Sequence, residues 1–303
     1  MALTAPGTGT LEPGEREVPI ALPGELLIRV RACGLCQHDL HLLDGTLTPA
    51  EIPIVPGHAI VGLVEVVGDG VTHLEAGDRV GVPWLGYACG ACDYCRSGRE
   101  NLCRDARFTG LHMDGGFAEF VVADAAYAFK LPDGYTDAEA APLLCAGVIG
   151  YRAYRLTGRG RLGLFGDGAA IELVARLAAH EQRAVHTITD ATQPPIPLDA
   201  AIVFSNDGRL VAEALARLAP GGCLVCAGVH MTDISSFPLS DLAEDRVIRS
   251  VAHHTREDVR EWLALAATVP LKARVQAYPL ADANRAVADL RDGRLAGAAV
   301  LTL

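Results

Sequence analysis

The chain has 303 residues, with 26 Lys and Arg against 37 Asp and Glu, a formal net charge of -11; a nucleic-acid binder would show a basic face, and this balance argues against one. Half of the residues are hydrophobic and 21% are charged, with 32 Gly and 17 Pro, which describes a packed globular protein rather than a disordered or collagen-like one. No stretch reaches the ~18 consecutive apolar residues of a membrane span, and the first residues lack a basic segment followed by an apolar one, so a soluble, cytoplasmic protein of about two domains is expected.

In chain order, the first twenty residues are rich in Gly, Glu and Pro and read as a modified first strand or a loose terminus. The next stretch places Cys36, His38, Asp39 and His41 within six residues. Pro56, Gly57 and His58 follow, just before a Val-rich run. Of the nine cysteines, four then fall together as Cys89, Cys92, Cys95 and Cys103. In a chain without a secretion signal such a group is expected to bind metal rather than form disulfides. Zinc takes four ligands at tetrahedral corners, and short spacings let one tight loop present several sulfurs to one point. A site with four protein ligands has no open position and holds a loop in place. Further on, Cys145 stands at the start of an expected helix, within Leu144-Cys145-Ala146-Gly147. Two thiolates and an imidazole, with water as the fourth ligand, form one of the known catalytic zinc environments, although a lone Cys or His is more often a structural residue.

The second half reads as alternating strands and helices. A strand from Arg161 to Phe165 runs into Gly166, Asp167, Gly168, Ala169, Ala170 and Ile171, a turn that opens an Ala-rich helix. That context suits a dinucleotide-binding G-x-G turn, with Ile171 in place of the small third residue. A strand over 184–189 ends at Asp190, which reads either as an acid for the ribose of NAD or as a turn residue. Cys223 and Cys226 lie on an expected strand, facing opposite ways, and read as buried thiols. His230, His253, His254 and Arg256 follow strand ends and read as loop residues or ligand contacts.

The order of these features carries a resemblance. Gly34-x-Cys36-x-x-Asp39, Pro56-Gly57-His58, Gly77-Asp78-Arg79-Val80, the four-cysteine lobe, Asp114-Gly115-Gly116-Phe117-Ala118-Glu119-Phe120 and Leu144-Cys145-Ala146-Gly147 resemble the zinc-dependent alcohol dehydrogenases of the medium-chain dehydrogenase/reductase (MDR) superfamily over almost the whole length. The resemblance implies an α/β protein: a GroES-like, β-rich catalytic domain over 1–150, completed by 270–303, and a Rossmann-like, doubly wound cofactor domain over 151–269, with the active site in the cleft between them. It also implies a catalytic zinc on Cys36, His58 and Cys145 and a structural zinc on Cys89, Cys92, Cys95 and Cys103. Asp39 would orient a ligand, and His41 would end a proton relay. The resemblance further implies NAD(P) at Gly166, Gly168, Ala169 and Asp190, a small alcohol or carbonyl substrate, and a homodimer or homotetramer.

Three departures bear on chemistry. His38 stands where the family usually has Ser or Thr, and it reads as a proton carrier, a fourth zinc ligand or an innocent neighbour. Ala59 replaces the family's Glu after the His, which removes a negative charge near the metal. Finally, the prolines of 191–197 lead straight to Leu198 and the family's fourth strand, so about one helix and one edge strand of the Rossmann half are missing. The linker is expected to be nearly extended. The leading expectation is a zinc-dependent alcohol dehydrogenase or aldehyde reductase that passes hydride between NAD(P) and an alcohol/carbonyl pair, with His38 or His41 handling the proton. The alternative is a redox-neutral zinc enzyme, a lyase, isomerase or hydrolase that has lost cofactor use. A non-catalytic scaffold fits less well, because all three candidate catalytic ligands are present.

Overall fold

The computed structural model describes all residues except 6, 189–196 and 230. Asp190, His230 and nearly all of the Pro-rich linker therefore lie outside the described residues. The chain divides into two compact units. The first comprises Met1–Cys145, His253–Thr268 and Arg274–Leu303, and the second Ala146–Ala252 and Val269–Ala273.

The strands, in chain order, are β1 (Glu25–Leu35), β2 (Ala59–Val67), β3 (Arg79–Val82), β4 (Leu85–Tyr87), β5 (Arg107–Phe108), β6 (Phe120–Asp124) and β7 (Phe129–Lys130) in the first unit. The second unit holds β8 (Leu162–Phe165), β9 (Val185–Ile188), β10 (Leu198–Val203), β11 (Leu218–Cys226) and β12 (Val247–Ser250). The chain then returns to the first unit with β13 (Val275–Pro279) and β14 (Ala298–Thr302).

In the first unit a sheet runs β13-β14-β1-β2-β3-β7, with β6 also paired to β1. β1 is its longest strand and pairs antiparallel with β2, β6 and β14. Register shifts between Leu27 and Ile28 and between Val30 and Ala32 bend it away from a flat ribbon. Leu26, Ile28 and Val30 of β1 share one core with Ile60 and Val64 of β2, Val80 and Val82 of β3, and Phe117. The Gly- and Pro-rich terminus is anchored through its first eleven residues, while 12–20 are exposed. Leu3 and Leu11 are buried in this core, bridges join Ala2 to Glu12 and Leu3 to Ile54, and the Met1 amine donates to the Phe117 carbonyl at 2.8 Å. Among the described residues it forms isolated bridges and no regular strand. Its two apolar side chains anchor it despite a composition that favours turns.

The second unit is a parallel sheet of order β12-β11-β10-β8-β9. The central strands β8 and β10 are buried almost throughout, as expected for strands covered on both faces. β9 is the last strand on its side among the described residues, and its polar His186 and Thr187 suit that edge. Nine residues separate Ile188 from Leu198, fewer than the dozen or more that a parallel crossover normally takes. Among the described residues no strand lies beyond β9 on that side of the sheet. Helices Ala146–Leu156 and Ala169–His180 pack together, with Gly150 against Val174 and the Ala170 backbone. Helix Arg209–Leu215 is short, because Leu218 already joins β11 opposite Leu198.

A bidentate ion pair closes the start of the second sheet. Arg161 donates from Nε at 2.7 Å and Nη2 at 2.8 Å to Asp199, whose Oδ2 also accepts the Arg161 backbone N–H at 2.7 Å. These bonds hold the Asp199 carboxyl down to about 2. The folded pKa is below the unfolded value of about 3.9, so the stabilisation is complete above pH ~4 and is lost as pH falls through about 2. Asp199→Asn is expected to lower the urea midpoint at neutral pH, and its difference from the wild type to shrink toward zero between pH 4 and 2. A difference independent of pH across that range would contradict this.

Candidate metal centre

Three segments of the first unit converge on one point. Cys36 follows β1 as the N-cap of helix Gln37–Leu43, in extended conformation, and its Sγ accepts the His38 backbone N–H at 3.4 Å. Its own N–H donates to Asp39 Oδ2 at 2.8 Å. The turn thus fixes the sulfur from both sides.

His58 comes from the turn before β2. Gly57 has φ +98°, and a Cβ there would lie 2.5 Å from the Phe117 ring and 2.9 Å from Cys33 Sγ, so glycine is required. The Asp-Gly-Gly-Phe motif, otherwise only a family mark, clamps this turn. Asp114 Oδ1 accepts the Val55 N–H at 2.8 Å, Gly115 donates to Val55 O, Gly116 to Gly57 O and Phe117 to Pro56 O. A Cβ on Gly115 would meet Gly57 O at 2.1 Å. Cys145 is delivered by the buried 3-10 turn Ala141–Leu144, whose Leu143 carbonyl accepts Trp262 Nε1 at 3.0 Å.

The result is a close triangle. Cys36 Sγ lies 3.3 Å from His58 Nε2, His58 Nε2 lies 3.4 Å from Cys145 Sγ, and the two sulfurs are 3.7 Å apart. With Zn–S ~2.3 Å and Zn–N ~2.05 Å, tetrahedral edges are ~3.8 Å for S–S and ~3.5 Å for S–N, so the donor set fits one zinc-sized ion. A second grouping shares two of these residues: the donor atoms of Cys36, His38 and His58 all lie within 4.8 Å of one another. Asp39, buried, brings Oδ1 to 3.5 Å from His58 Nδ1. Burial opposes charge on His58, but Cys36 and Asp39 outweigh it and hold its pKa up to about 10. The Cys145 contact, with burial, pushes the Cys36 thiol up to about 12. Both shifts reflect ligand-type groups crowded at one point, where a bound cation lets the thiols ionise and displaces the imidazole proton.

Asp39 thus touches one candidate ligand through its backbone and another through its ring. Asp39→Asn is expected to lower affinity for metal at this centre about 10–100-fold, read by competition with a chelator. Unchanged affinity would remove Asp39 from the centre's support.

Sequence reasoning missed Trp84, which is buried just after β3; its ring lies 4.7 Å from His38, tilted, and 4.8 Å from His58, edge-on, and stacks on Phe108 at 5.1 Å. No local pattern flags it beyond the rarity of Trp, of which the chain has two. His41 lies half-buried one turn beyond His38 on the same helix. Ala59 is buried opposite Gly34, and Asp39 is the carboxylate that faces the triangle.

The four-cysteine lobe forms a second, separate cluster. The Sγ atoms of Cys89, Cys92, Cys95 and Cys103 all lie within 4.8 Å of one another, with Cys92–Cys95 at 3.6 Å and Cys89–Cys95 at 3.9 Å. Backbone N–H groups of Ala91 and Cys92 lower the Cys89 thiol to about 7, which favours thiolate there. Glu100 within the lobe takes a bidentate bond from Arg256 of helix Arg256–Thr268, at 3.0 and 2.6 Å. Burial would raise the Glu100 carboxyl, but Arg256 outweighs it and lowers it. Nearby, His254 is buried, and its Nε2 accepts the Leu85 N–H at 3.3 Å, a structural role.

In the second unit, Gly166 follows β8 directly and Gly168 is the N-cap of helix Ala169–His180, without a side-chain cap. Ile171 is buried on that helix. No helix among the described residues is long and apolar enough to cross a membrane.

Comparison with known proteins identifies the family. A family model, the alcohol dehydrogenase GroES-like domain, matches residues 22–133. "Probable alcohol dehydrogenase AdhA" of Mycobacterium tuberculosis is 44% identical, covering 98% of this chain and 94% of that protein. Their alignment spans 324 positions, more than this chain's 303 residues, so the relative has internal residues that this chain lacks. Among solved structures, cinnamyl alcohol dehydrogenase from Sorghum bicolor matches with TM-score 0.89 and 25% identity, over 99% of this chain and 96% of that one. Acetophenone reductase from Geotrichum candidum, solved in complex with NAD, has the same fold at TM-score 0.87 and 23% identity, over 100% and 96%. The chain belongs to the alcohol dehydrogenase family of the MDR superfamily and is an oxidoreductase of that family.

Proposed function

We propose that the first unit is the catalytic domain of a zinc-dependent alcohol dehydrogenase or aldehyde reductase, with a catalytic zinc on Cys36, His58 and Cys145 and a structural zinc on Cys89, Cys92, Cys95 and Cys103. The second unit is the cofactor domain, in which Gly166, Gly168 and Ala169 meet the pyrophosphate of NAD(P) at a helix N-terminus. The observation that carries the reading is the convergence of Cys36, His58 and Cys145, remote in sequence, at tetrahedral-edge distances.

When bound, the metal supplies a Lewis acid that eases loss of the alcohol proton or polarises the carbonyl, and the nicotinamide accepts or gives the hydride. Cys36 and Cys145 offer two thiolates and His58 one neutral nitrogen, which leaves a fourth position for the substrate oxygen. Asp39 favours a proton on His58 Nδ1, which turns the Nε2 lone pair toward the two sulfurs. Trp84 packs beside both imidazoles and limits their rotation. His38 holds the proton that the alcohol gives up, and His41, one turn on, passes it outward. In the oxidising direction a bound oxidised nicotinamide would supply the hydride acceptor and these histidines would take the alcohol's proton, the product being the carbonyl compound. The redox reading is preferred to the redox-neutral one because relatives named as alcohol dehydrogenases match along nearly the whole chain.

Metal analysis of the purified protein is expected to find two zinc ions per chain, and titration with NADH or NADPH to saturate below millimolar concentration. Zinc without any nicotinamide binding would favour the redox-neutral alternative.

A further inference from the structure

We propose that His38 is an exchangeable fourth ligand of the metal held by Cys36, His58 and Cys145, closing the centre as a Cys2His2 set until substrate displaces it; this rests on the metal reading above. The position is built by the local fold. The His38 backbone N–H is bonded to Cys36 Sγ, so the residue is tied to a ligand sulfur within one turn. Its Nδ1 stands 3.7 Å from that sulfur, against ~3.5 Å for the S–N edge of a zinc tetrahedron. Its donor atom also lies within 4.8 Å of the His58 donor.

The ring is oriented by its neighbours. The Trp84 ring, tilted by 38°, lies 4.7 Å away between centroids, and the His58 ring stands edge-on at 5.5 Å. Cys36, His58, Cys145 and His38 together make two thiolates and two imidazoles, a set that satisfies zinc without water. His38 is nevertheless only half-buried, unlike His58, so it is the member of the set with room to leave. The lone pair that binds metal is the same one that accepts a proton. His38 therefore serves as ligand and as proton carrier at different times, ligand before the substrate oxygen arrives and carrier afterwards. One consequence is that small neutral ligands compete with an internal imidazole for the metal.

The test uses the full chain with cobalt(II) exchanged into this centre and zinc kept in the four-cysteine lobe. X-ray absorption at the cobalt edge is expected to count two imidazoles in the wild type and one in both His38→Ser and His38→Gln, with cobalt loading intact. Added imidazole, followed by the visible cobalt bands, is expected to bind His38→Ser about tenfold or more tightly than the wild type, because it no longer displaces an internal ligand. One imidazole in the wild type, with equal affinity for added imidazole in wild type and variant, would overturn the proposal while leaving the metal reading intact. Cobalt loading that survives Cys36→Ser would instead overturn the metal reading itself.

Discussion

Replacing Cys36 by serine is expected to cut kcat/KM for alcohol oxidation by about 10³-fold or more and to reduce zinc from two ions per chain to one. The magnitude follows from the role. A Lewis acid contributes several kcal/mol of stabilisation where charge develops, and each 1.36 kcal/mol is tenfold in rate. The sulfur is one of three donors that meet at 3.3–3.7 Å, and a neutral hydroxyl at its place cannot balance a dication as a thiolate does. Thermal stability should change far less than activity, because the core around β1 does not depend on the metal for its burial. Metal analysis beside steady-state kinetics checks both parts. Retention of two zinc ions with near-normal activity would remove Cys36 from the centre.

The opposite pattern is expected in the four-cysteine lobe. Cys95→Ser should also cost one zinc ion, yet here the loss falls on stability. Among the described residues the lobe's buried apolar cluster is Leu85, Ala88, Cys103 and Tyr127, with the remaining cysteines, Ala106, Phe108 and Ala126 packed on it. So small a core does not hold a loop alone, and the metal's contribution to folding is correspondingly large. A loss of several kcal/mol corresponds to a fall in Tm on the order of 10 °C for a chain of this size. Calorimetry with metal analysis decides it. The Glu100–Arg256 ion pair ties the lobe to helix Arg256–Thr268, so protease cleavage is expected first within 89–103 in the variant. An unchanged Tm with one zinc lost would show that the loop is held by packing and that ion pair instead.

How much of this was legible in the sequence depends on distance along the chain. The four-cysteine cluster was readable from spacing alone, because its ligands share one short loop. The triangle of Cys36, His58 and Cys145 was not. Each is weak evidence singly, and only the order of motifs that resemble a family brought them together before the sheet did. The Gly115–Gly116 motif could be recognised but not explained, since its role is to press its backbone on the turn that carries His58. Trp84 was missed because its contact with His38 and His58 is made through space from the end of β3. Leu3 and Leu11 were masked by the Gly, Pro and Glu around them, although burial of two leucines outweighs turn propensity there. A short second sheet is what the sequence leads one to expect, because the nine residues between Ile188 and Leu198 are fewer than a parallel crossover normally takes.

The central claim is that Cys36, His58 and Cys145 share one metal ion distinct from the one in the cysteine lobe. Anomalous diffraction at the zinc edge from crystals of the purified protein tests it most directly. Two peaks per chain are predicted, one surrounded by Cys89, Cys92, Cys95 and Cys103 and the other within bonding distance of Cys36, His58 and Cys145. A single peak in the lobe, with no density among the other three side chains in fully metal-loaded protein, would contradict the account.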